Sequence, residues 1–177
     1  MNLKILKINN FSTMKIKLFT VLIWVATAFF FASCNGKVFY EKIDHIDNEV
    51  WNVDSLLHYE IEITDSLQFY NIYINIRNTV DFETQYFYLF LTSEFPNGYI
   101  GQDTLGCILC DPYGKWTGKG AGRIKENRFL FKPKVRFDQK GIYKFTVRQA
   151  MRNDNVKGIS DFGISLYNFE KDNIKVK

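Results

Sequence analysis

Cys107 and Cys110, in the run Cys107-Ile-Leu-Cys110, are the residues whose type and spacing most directly suggest chemistry. Two thiols at this spacing can cycle between dithiol and disulfide when one sits at a helix N-terminus, where the macrodipole lowers its pKa. Here the pair lies in an apolar, strand-like run ending at Asp111-Pro112, and no helical pattern follows. In an extended strand, residues three apart point to opposite faces, so the sulfurs would not meet without a bend. Zinc would need two further ligands, and the chain's two histidines, His45 and His58, stand at no supporting spacing. The pair reads as buried thiols, or as a local disulfide in an oxidising compartment.

Gly114-Lys-Trp-Thr-Gly118-Lys-Gly120-Ala-Gly122 is the second candidate. A phosphate cradle must follow a parallel strand and open a helix, so that backbone amides and the helix end meet the anion. Strand-like residues follow instead, which favours a glycine-bent strand or bulge. The stretch also sets Trp116 beside Lys115 and Lys119, a combination able to contact a peptide or a glycan. No Gly-x-Ser-x-Gly elbow occurs, and the carboxylates are scattered along solvated strand faces. The sequence therefore gives no catalytic residue, metal site or cofactor, and no enzyme is expected.

The elements that must position these residues are strands. Tyr59, Ile61 and Ile63 alternate with Glu60 and Glu62, and Tyr70, Ile72, Ile74 and Ile76 alternate with Asn71, Tyr73, Asn75 and Arg77. Such alternation predicts half-buried strands with one wet face. Tyr86–Leu91 is apolar on both faces and predicts a central, covered strand. Thr104–Cys110, Trp116–Lys125, Arg128–Phe131, Gly141–Met151 and Ile159–Phe169 are further candidates, with Tyr143, Phe145 and Val147 as a core stripe. Turn chemistry separates them at Phe95–Gly98, Asp111–Gly114, Glu126-Asn127 and Asp138–Gly141. The expected fold is an all-β, two-sheet antiparallel sandwich of immunoglobulin-like or jelly-roll wiring.

That domain follows an export signal. Lys15 and Lys17 precede the apolar run Leu18–Ser33, which ends Ala32-Ser33-Cys34. The run is shorter than the roughly 20 residues a spanning helix needs and matches a signal h-region. A cysteine at this junction is the layout of a bacterial lipoprotein signal, with Cys34 as the acylated first mature residue. Phe31 departs from the leucine usual there, and translation from Met14 would leave the same mature chain. The organisation is then a signal peptide over 1–33, a tether over 34–37, a sandwich over 38–170 and a polar tail over 171–177. Residues 1–33 hold four of the 23 basic residues and no acid, so the mature chain carries 19 of each sign. The basic pI belongs to the discarded segment, and nucleic acid drops out as a partner. Acyl chains on Cys34 would hold the domain on a membrane, close to it because the tether is short. The lack of an acidic cluster after Cys34 favours an outer membrane location facing the periplasm.

Several blocks occur in order: Trp51 and Asp54; Tyr73-Ile-Asn-Ile-Arg77-Asn78; Gly114–Gly120; Gly141-Ile-Tyr143; Gln149-Ala-Met151-Arg152; and Gly158-Ile-Ser-Asp161-Phe-Gly163. Behind a lipoprotein signal, this arrangement resembles the GldH gliding motility lipoproteins, over about Tyr40 to Tyr167. The resemblance implies an envelope lipoprotein required for gliding, working with other gliding lipoproteins and the associated secretion machinery. It supplies no catalytic residues, and the cysteine pair stands outside its pattern. Trp, Tyr and Arg dominate interface energetics, which makes Trp116, Arg148 and Arg152 the candidate interaction surface. Each has a rival structural reading: Trp116 as core, and the arginines as partners of Asp161 or Asp154. The other functional reading is a lipid-anchored glycan- or peptide-binding module, which an open row of coplanar aromatics would favour. The sequence leaves the oligomeric state undetermined.

Overall fold

The computed structural model describes residues 38–172; the signal, Cys34, the tether and residues 173–177 lie outside the described residues. Ten strands follow one another: β1 (Val38–His45), β2 (Val50–Asn52), β3 (Leu57–Ile63), β4 (Phe69–Thr79), β5 (Tyr86–Glu94), β6 (Ile100–Ile108), β7 (Ile124–Arg136), β8 (Gly141–Gln149), β9 (Asn155–Lys157) and β10 (Ile159–Asn168). A short 3₁₀ turn, Asp47–Glu49, links β1 to β2. Among the described residues no helix is long and apolar enough to cross a membrane.

One four-stranded sheet has the order β1-β10-β4-β7, the other β3-β8-β5-β6, and β2 pairs with β9 at one end. Every pairing is antiparallel. β1 pairs with β10, β2 with β9, β3 with β8, β4 with β7 and β5 with β6. These pairings are nested, as in one long hairpin rolled up on itself, and β10·β4 and β8·β5 close the roll. That is a jelly roll, which resolves the wiring left open by the sequence.

The core lies between the two four-stranded sheets. β4 and β10 supply Ile72, Ile74, Ile76, Phe162, Ile164 and Leu166 from one side. Tyr59, Ile61 and Ile63 of β3, Phe87, Leu89 and Leu91 of β5, and the expected stripe Tyr143, Phe145 and Val147 of β8 supply the other. Aromatic rings concentrate at both ends. Tyr70, Phe137, Tyr143 and Phe95 interlock at the end where β1 begins; Trp51, Phe82, Phe87, Tyr59 and Phe162 do so at the other. Edge-to-face and tilted ring pairs of this kind each add roughly 0.5–1.5 kcal/mol beyond area burial. The open flanks of the sandwich are stapled by lysines. Lys132 Nζ meets Asp103 Oδ2 at 2.7 Å between β7 and β6, and Lys42 Nζ donates to the His58 carbonyl at 2.9 Å between β1 and β3.

Several local expectations change. The polar face of β4 is wet only towards its end: Asn75 and Arg77 keep exposure, whereas Asn71 and Tyr73 are buried, and Arg128 stacks its guanidinium 3.8 Å from the Tyr73 ring and 4.0 Å from Tyr167. Asp172, expected in a solvated tail, accepts from Asn71 Nδ2 at 2.9 Å and the Tyr73 hydroxyl at 2.7 Å. β5 is central but covered on one side only, since Tyr86 and Tyr88 are exposed on the outer face of its sheet. Trp116–Lys125 is a loop apart from its last two residues, and Glu126-Asn127 is no turn but part of β7. β7 is an edge strand, and so tolerates Pro133; beside it Lys134 takes φ +48° at an irregular register and donates its N–H to Asn71 Oδ1 at 2.9 Å.

Candidate functional site

Alternate turns of a rolled hairpin fall at opposite ends. The β3–β4, β5–β6 and β7–β8 turns lie at the end where β1 begins, the near pole. The β4–β5, β6–β7 and β8–β9 connections lie at the far pole with β2 and β9. Of the six residue blocks found in the sequence, only Gly141-Ile-Tyr143 belongs to the near pole.

Trp51 anchors the far pole. It has no exposed surface, packs on Phe87 and Phe162, and donates its indole N–H to the Ser55 carbonyl at 2.8 Å. Gly158 lets the β9–β10 turn press against Phe82. Its φ is +86°, and a Cβ there would lie 2.6 Å from the Phe82 nitrogen. Arg123 ties three segments together, pairing with both Glu49 oxygens and with Asp81. Its hydrogen bond holds the Glu49 carboxyl below the ordinary range.

The glycine-rich loop is a set of turns rather than a bent strand. Cys110 and Trp116 form an isolated bridge, as do Lys119 and Glu126, and the Thr117 hydroxyl contacts the Leu109 carbonyl at 3.0 Å. Trp116 is half-buried and packs against the core, so its rival reading as a core residue describes much of its surface. Cys107 faces inward and Cys110 is half-buried; both are free thiols. Burial pushes the Cys107 thiol up to about 12. His58 points to the outer face, with Nδ1 3.1 Å from the Thr146 hydroxyl, so it does not meet Cys107. Among the described residues no group of His, Cys, Asp and Glu has the makings of a metal site.

Two clefts remain. One, of about 800 Å³, runs over the outer face of the β1-β10-β4-β7 sheet past Glu41, Arg77, Glu126, Arg128 and Asp161. Its charges are largely spent on one another. Arg77 pairs with Glu126 at 2.6 Å, His45 Nδ1 lies 3.2 Å from Asp161, and Arg128 sits between two tyrosines.

The other, of about 750 Å³, opens at the far pole between the start of β5 and β9. Gln149 builds one wall. Its side chain is fully buried; Nε2 donates to the Asn153 and Asp154 carbonyls at 2.9 and 3.2 Å, and Oε1 accepts from the Met151 N–H at 2.7 Å. Met151 lends its sulfur to the Tyr88 N–H at 3.3 Å. Arg152 is left in the cleft, exposed, and among the described residues it forms no ion pair. Arg148 stands apart on the outer face of β8 over the Phe90 ring at 5.4 Å, and it too has no ion pair among the described residues. Neither arginine pairs with Asp161 or Asp154. Trp116, Arg148 and Arg152 thus all lie towards the far pole but do not converge on one spot. Sequence reasoning missed Tyr86 and Tyr88, whose rings stack at 5.9 Å and 14° on the exposed face beside the cleft. The alternation Tyr-Phe-Tyr-Leu-Phe-Leu could have revealed them, had the tyrosines been separated from the other apolar residues.

These features define a jelly-roll domain with a preformed cleft at one pole. The chain matches the GldH lipoprotein family over residues 38–166, and it belongs to that family. It is 38% identical over 144 residues to a "Gliding motility lipoprotein GldH homolog" of Christiangramia forsetii, covering 81% of this chain and 88% of that protein. It is 29% identical over 160 residues to the "Gliding motility lipoprotein GldH" of Flavobacterium johnsoniae, covering 86% of this chain and 98% of that one. Among solved structures it is similar to TmCBM61 in complex with β-1,4-galactotriose. The TM-score is 0.33 at 11% identity, covering 75% of this chain and 91% of that one, too slight a likeness to argue from. Family membership makes this a lipid-anchored protein of the cell envelope.

Proposed function

We propose that this chain acts in bacterial gliding motility as a non-catalytic assembly component, anchored through acyl chains on Cys34 and contacting its partners with the far pole. One observation carries the reading. Of the six residue blocks that carry the resemblance, four lie at or run into the pole away from Val38, and the Tyr73–Asn78 block runs from the middle of β4 to that same end. Cys34 precedes Val38 by only four residues of sequence, on the side of the chain that enters at the near pole. β4 alone, with 11 residues, spans roughly 36 Å. An outer-membrane lipoprotein facing the periplasm would reach envelope partners in this way, among them other gliding lipoproteins and the secretion machinery.

The test is genetic and topological. Deleting the gene should abolish colony spreading. Complementation with an Arg152→Glu chain should fail to restore spreading, although the protein accumulates at normal levels in the membrane fraction. Exposed near-pole changes such as Leu67→Ser should be neutral. Full spreading by the deletion strain would overturn the proposal.

The exposed Tyr86–Tyr88 pair supports a second reading, a glycan- or peptide-binding module. Binding of any member of a panel of soluble cell-wall oligosaccharides that is lost in Tyr86→Ala and Tyr88→Ala would favour its glycan form.

A further inference from the structure

We infer that the far-pole cleft binds an extended acidic peptide segment of a partner protein, taking it up as an added strand between the start of β5 and β9. This rests on the reading of the far pole as the partner surface and says how that surface would work.

The backbone supplies the first argument. Antiparallel strands alternate the side to which they offer their amide and carbonyl groups. Gln85 accepts from the Leu109 N–H at 2.9 Å, so Tyr86 and Tyr88 turn their backbone groups away from β6. β8 occupies that side only from Leu89↔Gln149 onward. Beyond it, the Ala150 N–H reaches the Tyr88 carbonyl at 2.8 Å, the Met151 sulfur takes the Tyr88 N–H, and the chain departs. Among the described residues nothing accepts from the Tyr86 N–H, while its carbonyl already accepts from the Thr84 hydroxyl at 2.9 Å. β9 repeats the situation. It meets β2 through Asp154, whose carbonyl takes the Val53 N–H at 2.7 Å, and Gly158, whose N–H reaches the Glu49 carbonyl at 2.8 Å. Asn155 and Lys157 must then offer their amides and carbonyls to the side away from β2. Both line the cleft, and among the described residues those groups have no backbone partner. The open edge of β9 and the free Tyr86 N–H of β5 thus border one slot, an arrangement that accepts an added strand along β9.

The side chains say what kind of strand. Met151 and Val156 line the slot with Tyr86 and Tyr88, giving apolar contact for alternate residues of an incoming segment. The charged residues are Arg152, Lys157 and Glu83. Neither cation has an ion pair among the described residues, so the slot carries surplus positive charge and complements a carboxylate-bearing segment. The buried Gln149 fixes the wall before any ligand arrives, which lowers the ordering cost of binding.

The probe is a fluorescein-labelled pool of heptapeptides with Val, Thr or Ile at alternate positions and Glu or Asp between them. A matched pool carries Lys at the acidic positions. Both are titrated by anisotropy into the full acylated chain in detergent. The acidic pool should bind at least tenfold more tightly than the lysine pool, and N-methylation of alternate peptide amides should abolish binding. Arg152→Glu with Lys157→Glu should reverse the preference by a similar factor, a reversal that simple misfolding cannot produce. Hydrogen exchange at Tyr86, Asn155 and Lys157 should slow on binding. Equal binding of the two pools, no binding of the acidic pool at millimolar peptide, or indifference to N-methylation would overturn the inference. So would displacement of the bound peptide by a panel of soluble cell-wall oligosaccharides but not by unlabelled peptide. Spreading separates the two proposals. A chain that binds acidic peptide while its charge-reversed variant still supports spreading sinks the far pole's part in motility and leaves the cleft assignment standing. Lost spreading without peptide binding does the reverse.

Discussion

Gln149 shows how much one buried polar side chain can organise. It makes three hydrogen bonds to the backbone of Met151, Asn153 and Asp154, and no water reaches it. Gln149→Leu keeps the volume but strands those backbone groups, each of which would cost roughly 1–3 kcal/mol if left buried and unpaired. The expected result is a urea midpoint lowered by an amount equivalent to about 2–4 kcal/mol. An unchanged midpoint would mean that water replaces the amide. Cys107 makes the opposite point about reactivity. With its thiol held at about 12, against an ordinary value near 8.5, it should resist iodoacetamide at pH 8 in the folded chain while half-buried Cys110 reacts. The linkage sign follows from the raised value. The folded state disfavours the thiolate, so this contribution is intact below about pH 8.5 and is lost as the pH climbs towards 12. Cys107→Val should flatten the alkaline fall in stability over that window and leave stability at pH 7 little altered.

At the scale of elements, Gly158 is the sharpest case. Alanine there would have to hold φ +86° and place its Cβ against the Phe82 backbone. Gly158→Ala should therefore cost about 3–4 kcal/mol, combining left-handed strain with a backbone clash, whereas Gly114→Ala, with open space around it, should cost only about 1–2 kcal/mol of strain. Thermal melts of the two variants would check the ordering. Most long strands were legible because their alternation reflects one buried face: Tyr59-Ile61-Ile63 and Tyr143-Phe145-Val147 point where their periods say. Legibility failed where burial had another source. Asn71 and Tyr73 are polar by type, yet Arg128 and Asp172 cover them, and these come from residues far along the chain. β1, with most of its side chains exposed, and the three-residue β2 and β9 carry too little pattern to read. The far-pole cleft was half legible: Arg152 stood out by type, but the strand edges beside it exist only through the register of β5, β8 and β9.

Taken whole, the molecule divides its labour between its ends. The near pole has short turns and the chain's entry into the sandwich; the far pole has the longer connections and the unpaired cations of its cleft. The nested pairing adds a constraint on how such a molecule is made. β1, the strand next to the anchor, has β10 as its hydrogen-bonded neighbour, and the two are separated by more than a hundred residues. Contacts so distant in sequence form late because a long loop must close first. A chain delivered to the envelope from its N-terminus must hold its first strand open until its last strand has crossed. Truncation before Ile159 would remove the centre of the sheet rather than its margin, leaving an unfinished chain for envelope proteases to clear.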